Sequence, residues 1–112
     1  MKKQIRIRCW ITLDNERFFG PGKFELLQLI DQTGSISKAA KSMRMSYKKA
    51  WDMVTEMNSR SKRPYVVSHK GGEKGGGAEV TAAGKKMLHA YEKITKQLDA
   101  VVLKNRSVLK LF

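Results

Sequence analysis

The sequence contains very little cysteine, and this scarcity limits the chemistry open to the chain. Cys9 is the only cysteine, so an intramolecular disulfide is impossible and a reducing cytoplasm is the expected location. His69 and His89 are far apart and lack cysteine or carboxylate neighbours at metal-binding spacing. We therefore expect neither a metal nor another cofactor. No nucleophile, base and orienting group are recognisable together, so the sequence does not predict an enzyme.

Long apolar runs are also missing. No segment approaches the roughly 20 apolar residues that a membrane-spanning helix needs. The basic N-terminus is not followed by the apolar core of a signal peptide. We therefore expect no membrane partner.

Acidic residues are scarce relative to basic ones. The 112 residues include 10 Asp and Glu against 23 Lys and Arg, which gives a net charge of +13. A chain this basic is expected to bind a polyanion, most commonly nucleic acid. Ribosomal and membrane-surface proteins can be as basic, so charge alone does not identify the function. The length fits one domain with a modest core.

The N-terminal part of the chain predicts a strand followed by a helix. Apolar and polar residues alternate over residues 4–12, which is typical of a strand. Residues 14–17 predict a turn. Pro21 suits the first turn of a helix and Gly34 its C-terminal cap. Either Ser35 or Ser37 then caps the next helix.

Two short helices with a tight turn between them follow. The first is predicted from Ser37 to Met43, and the second, capped by Ser46, from Tyr47 to about Ser59. In a helix-turn-helix, the second helix places its N-terminal residues in the major groove while the first crosses the phosphate backbone. Lysines at a helix start oppose the helix dipole, so their presence suggests a purpose other than stability. The alternative is a plain helical hairpin with a solvated charged face.

The second helix also has a predicted buried face. Ala50, Met53, Val54 and Met57 mark this face, with Tyr47 and Trp51 beside it. Trp51 could stack on a base, but we interpret it as part of the core. Asp52 is either a structural residue, which we favour, or an acceptor for a cytosine amino group.

A glycine-rich segment separates two short predicted strands. Residues 64–69 and 78–81 are the strands, and residues 70–77 between them are basic and rich in glycine. This pattern predicts a β-hairpin wing. A phosphate-binding P-loop is disfavoured because no Gly-Lys-Ser/Thr leads into a helix.

The last predicted helix is long. Thr81 caps it, and it extends to about Lys104 with apolar residues at heptad spacing. Because such a helix outruns a small core, we expect this seam to form a homodimer interface. The alternative is that it packs only on its own domain. The seam residues are Met87, Tyr91, Ile94, Leu98 and Val101.

Together these elements predict a mainly α fold with a small β-hairpin (α+β), arranged as a winged helix-turn-helix. Residues 1–81 would form the DNA-binding domain, residues 82–104 the dimerisation helix, and residues 105–112 a tail of unknown role.

Several motifs resemble one family. The segment MSYKKAWD from Met45 to Asp52, with EMN at residues 56–58, resembles the DNA-binding half of ModE, the molybdate-responsive transcriptional regulators. Residues 71–84 resemble the wing and the start of the linker helix in that family. Residues 34–40 are shared more loosely with LysR-type regulators. The resemblance implies a homodimer, joined through the N-terminal region and the last helix, on a palindromic operator.

The C-terminal molybdate-binding modules of that family have no counterpart in these 112 residues. We therefore do not carry molybdate sensing over to this chain, and no small-molecule effector site is evident. The chain is either a stand-alone family member or a fragment of a longer protein.

The expected function is that of a sequence-specific transcription regulator that binds double-stranded DNA as a homodimer. The alternative is a nonspecific architectural, nucleoid-type DNA-binding protein. In the favoured hypothesis, Tyr47, Lys48 and Lys49 enter the major groove, and the hydroxyl of Ser46 contacts phosphate. The remaining expected contacts, with the backbone or minor groove, are Ser35, Ser37, Lys38, Arg60, Lys62, Arg63, Lys70 and Lys74.

Overall fold

The computed structural model describes residues 1–69 and 77–112. Within these ranges lie four α-helices and two antiparallel strand pairs, which confirms the predicted α+β class. The helices are α1 (Pro21–Thr33), α2 (Ile36–Ser42), α3 (Tyr47–Arg60) and α4 (Ala82–Lys104). The strands are β1 (Ile11–Leu13), β2 (Glu16–Phe19), β3 (Val66–His69) and β4 (Gly77–Val80). None of the described helices is long and apolar enough to cross a membrane.

The helix ends follow local capping patterns. Gly34 caps α1 in the left-handed conformation, with φ of 68°, as predicted. Ser35, rather than Ser37, caps α2: its hydroxyl accepts a hydrogen bond from the backbone N–H of Lys38 at 3.0 Å. The helix therefore begins at Ile36, one residue before the predicted start.

The prediction of a strand over residues 4–12 is wrong for most of its length. Only Ile11 and Thr12 of that range belong to β1. Asp14 and Asn15, with φ of 52° and 65°, form a two-residue turn, and β2 then pairs Phe19 with Ile11. The alternation in residues 4–10 is genuine, but these residues have no partner strand in the described part of the chain. The predicted turn was also too long, because residue 16 already begins β2.

The two strands of the predicted hairpin are present as β3 and β4. They pair antiparallel with Val66 opposite Val80. The N–H of Ala78 donates to the carbonyl of Gly34 at 2.9 Å, which joins β4 to the end of α1. A Cβ atom at Gly77 would lie 3.0 Å from that same carbonyl, so the absent side chain permits the close approach.

The core lies where α1, α3, α4 and β2 meet. Phe19 and Tyr91 are almost fully buried there, with their ring centroids 5.2 Å apart in an edge-to-face arrangement. The Tyr91 hydroxyl donates to the Cys9 carbonyl at 2.6 Å, so it also holds the N-terminal segment against α4. Burial raises the pKa of Tyr91, with a further increase from the Cys9 thiol and a decrease from Arg8.

Candidate nucleic-acid interface

Small side chains allow α2 and α3 to pack closely. Ala39, Ala40 and Ala50 are buried at the crossing of the two helices. The turn between them includes Arg44 with φ of 55°, and the N–H of Met45 returns to the carbonyl of Ala40 at 3.0 Å. This turn reverses the chain within a few residues. It therefore fixes the direction in which the first turn of α3 leaves the body of the protein.

The first turn of α3 presents exposed side chains. The hydroxyl of Ser46 accepts from the N–H of Lys49 at 3.0 Å, which confirms it as the N-cap. The side chains of Tyr47, Lys48 and Lys49 are all exposed. No acidic residue lies in this turn, so the helix start concentrates positive charge where the helix dipole is also positive. That combination attracts anions.

Lys48 is partly neutralised by a residue one turn further along. Its ammonium lies 2.9 Å from the Asp52 carboxylate, and both side chains are mostly exposed, at 84% and 60%. This places Asp52 in a structural ion pair, the role favoured for it. An exposed pair of this kind contributes little stability, roughly 0.3–0.5 kcal/mol, so it leaves Lys48 free to change partner.

The interpretation of Trp51 as a core residue is wrong. Its side chain is 43% exposed and stacks on Tyr47, with ring centroids 6.4 Å apart and planes inclined by 21°. The buried face of α3 consists of Ala50, Val54 and Met57. Trp51 follows Ala50 by one residue, about 100° around the helix, which carries it off that face.

The exposed residues of α2 lie on the neighbouring surface. Ser37 and Lys38 are exposed, and Ser35 is half-buried at the cap. The Ser35 oxygen accepts the Lys38 N–H, so its own hydroxyl hydrogen can still be donated.

The basic residues at the end of α3 fall into two groups. The Arg60 guanidinium donates to the carbonyl of Leu13 at 2.9 Å and lies 3.3 Å from Glu16 and 3.8 Å from Glu56. It therefore fastens the β1–β2 turn to α3, whereas Lys62 and Arg63 are exposed. Arg60 was expected at the DNA backbone, but its contacts are intramolecular.

Asn58 was not recognised from the sequence as a positioning residue. Its side-chain oxygen accepts from the N–H groups of Tyr65 and Val66 at 2.8 and 3.2 Å, and its amide donates to the Val66 carbonyl at 2.8 Å. These bonds tie α3 directly to the start of β3. The only available signal was the position of an asparagine near a predicted helix end, since its side chain can both donate and accept hydrogen bonds.

The predicted wing contacts Lys70 and Lys74 lie outside the described residues. Within the described strands, the ring nitrogen of His69 in β3 lies 3.1 Å from the carboxylate of Glu79 in β4.

The predicted dimer residues are split between two environments. Tyr91 is buried in the core of its own chain, and Met87 packs against that core. Ile94 and Val101 are 36% and 49% exposed, and Leu98 is half-buried. In the part of the chain that the structure describes, the buried residues of α4 are Gly84, Leu88 and Tyr91, all in its first half.

The second half of α4 borders an open groove. Its other walls are the N-terminal segment and the start of α1, and its volume is about 650 Å³. Its lining includes the apolar side chains of Ile5, Ile7, Leu98 and Val102. Among the described residues, no group of three His, Cys, Asp or Glu side chains could hold a metal ion.

The chain is similar in sequence to proteins that are named as transcriptional regulators. No protein-family model matches it. It is 35% identical over 108 residues to the transcriptional regulator ModE of Haemophilus influenzae, covering 95% of this chain and 42% of that protein. It is 38% identical over 89 residues to the DNA-binding transcriptional dual regulator ModE of Escherichia coli K12, covering 80% and 34%.

A third relative carries a different name. The chain is 47% identical over 72 residues to the molybdenum-pterin-binding protein MopB of Rhodobacter capsulatus, covering 64% of this chain and 27% of that protein. The chain thus spans between 27% and 42% of the length of these three relatives. The extent and identity of the matches support a ModE-like family for this chain.

Proposed function

We propose that this chain is a DNA-binding transcription regulator of the winged helix-turn-helix type. The observation that carries the proposal is the first turn of α3, where Tyr47, Lys48 and Lys49 are exposed at the positive end of a helix. A chain with a net charge of +13 adds the long-range attraction that a polyanion requires. Similarity to proteins named as transcriptional regulators points the same way.

In the proposed complex, α3 enters the major groove and α2 lies across the phosphate backbone. Tyr47, Lys48 and Lys49 would then contact base edges, while the Ser46 hydroxyl reaches a phosphate. Hairpin β3–β4 serves as the wing, and Asn58 sets its distance from α3. The proposed backbone or minor-groove contacts are Ser35, Ser37, Lys38, Lys62, Arg63, Lys70 and Lys74. We assign Arg60 to holding the β1–β2 turn instead.

We further propose a homodimer on a palindromic operator. The second half of α4 contributes no buried residue to its own core, yet carries Ile94, Leu98 and Val101 along one side. The apolar side chains Ile5 and Ile7 extend this surface across the groove. A second copy would cover both, and its two-fold axis would place two α3 helices on successive half-sites.

The experiment begins with selection of bound sequences from a random 30-base-pair duplex pool. Dissociation constants are then measured for the most enriched duplex and for a random duplex at the same salt concentration. A specific regulator should favour the selected duplex by about 10³-fold or more. Equal affinities would favour the nonspecific architectural alternative, and absence of binding to either duplex would refute the proposed function.

A further inference from the structure

The fold does not account for the exposed aromatic pair on α3. Tyr47 and Trp51 are 53% and 43% exposed, although both are large and largely apolar. They lie one helical turn apart and stack on each other, with a centroid distance of 6.4 Å. An aromatic surface in this position is therefore available to a ligand.

A DNA duplex offers one apolar group that suits this surface. Base faces are covered by stacking, so only base edges are accessible in the major groove. On those edges the apolar group is the C5-methyl of thymine, since the remaining groups are hydrogen-bond donors and acceptors. Two rings 6.4 Å apart span about two base-pair steps, because successive pairs are separated by ~3.4 Å.

We propose that the Tyr47–Trp51 pair reads thymine methyl groups at two base pairs, separated by one intervening pair, under the first turns of α3. This inference rests on the proposed DNA-binding function and specifies which bases the helix selects. Trp51 thereby becomes a specificity-determining residue, a role that the sequence interpretation had not given it.

The charged side chains next to the aromatic pair also suit contact with base edges. Lys48 lies on the adjacent side of α3 and can donate to purine N7 or thymine O4. Its 2.9 Å bridge to Asp52 places a carboxylate on the same surface, and a carboxylate disfavours close approach of phosphate. The aromatic pair and the ion pair together form a surface suited to base edges rather than to the sugar-phosphate backbone.

The test uses the enriched duplex from the selection described above. Each thymine is replaced in turn by deoxyuridine, which pairs identically but lacks the methyl group. Wild-type protein should lose affinity by about fourfold for each contacted methyl, at two positions in a half-site that are separated by one base pair. The Trp51→Ala variant should bind the thymine and deoxyuridine duplexes with nearly equal affinity at the position that Trp51 covers.

A matched control removes an exposed aromatic ring elsewhere. Phe112 is 74% exposed at the C-terminal end of the chain, and the Phe112→Ala variant should keep the full thymine preference. A second measurement locates the contact without any variant. Photo-crosslinking with 5-iododeoxyuridine at the two sensitive positions should attach to Tyr47 or Trp51, as identified by mass spectrometry of the digested complex.

Five outcomes would overturn the inference. Equal wild-type affinity for thymine and deoxyuridine at every position would show that no methyl is read. A thymine preference that survives in both Tyr47→Ala and Trp51→Ala, or crosslinks confined to other residues, would assign the reading elsewhere. Tighter binding to single-stranded than to duplex DNA would indicate base stacking instead. If the protein binds no duplex at all, the proposed DNA-binding function fails together with the inference. The other outcomes refute only the reading of thymine methyl groups.

Discussion

Replacing Asn58 with alanine should destabilise the protein by about 2–4 kcal/mol. The Asn58 side chain makes three hydrogen bonds to the backbone of Tyr65 and Val66, at 2.8, 2.8 and 3.2 Å. Both of those residues are buried, at 7% and 3% exposure. Alanine would leave two backbone N–H donors without their acceptor, and each such loss costs about 1–3 kcal/mol. Because Asn58 itself is only partly buried, we expect about 1–2 kcal/mol for each of the two donors, which gives the total of about 2–4 kcal/mol.

The measurement is urea unfolding followed by circular dichroism. Asn105→Ala is the matched control: it removes one hydrogen bond, to Val101, on an exposed helix end, and should cost no more than about 0.5 kcal/mol. We also expect weaker DNA binding by Asn58→Ala at temperatures where it is fully folded, because the wing is no longer held at a fixed distance from α3. A destabilisation below about 1 kcal/mol, or equal to that of the control, would refute the positioning role.

Three further predictions concern the proposed interfaces. Lys48→Ala should weaken binding to the selected duplex by about 1–3 kcal/mol more than to random DNA, whereas Lys96→Ala, which also breaks an exposed i,i+4 ion pair, should not. Equal losses on both duplexes would limit Lys48 to phosphate. Lys70→Ala with Lys74→Ala should lower affinity for all sequences and flatten the salt dependence by about 0.9 per lost phosphate contact; an unchanged slope would exclude the wing from the DNA. Leu98→Lys should convert a dimer to a monomer in sedimentation at micromolar concentration, and a monomeric wild type would contradict the dimer.

The helix boundaries could be predicted because they depend on short-range chemistry. Ser46 and Thr81 each accept a hydrogen bond from an N–H three residues ahead, and Gly34 adopts a left-handed conformation that other residues resist. These interactions need no knowledge of the rest of the chain. The predicted starts of α3 and α4 were therefore confirmed to the residue.

Tertiary partners decided the elements that were predicted wrongly. Apolar and polar residues alternate over residues 4–10 as in a strand, but a strand forms only where a second strand offers hydrogen bonds. The pairing with β2 ends at Ile11, so residues 4–10 have no partner among the described strands. Trp51 was assigned to the core because large apolar residues are usually buried there. Its position on the helix, one residue beyond Ala50, outweighs that tendency.

The candidate site was predictable in part. The exposure of Lys48 and Lys49 follows from the buried face of α3, which the spacing of apolar residues had indicated, whereas Tyr47 was placed beside that face and is exposed. The contacts of Arg60 and Asn58 could not be inferred, since their partners Leu13 and Tyr65 lie in or next to strands whose position relative to α3 is a property of the whole fold.

The most direct test of the central claim is an NMR titration of the isotopically labelled chain with the selected duplex. DNA binding through α2 and α3 predicts the largest amide shift changes at residues 35–38 and 46–52, with smaller changes at residues 62 and 63. Amides in the second half of α4 should change little, because that surface faces the second copy rather than the DNA. Changes confined to α4 and the N-terminal segment, with none at the start of α3, would contradict DNA binding through α3.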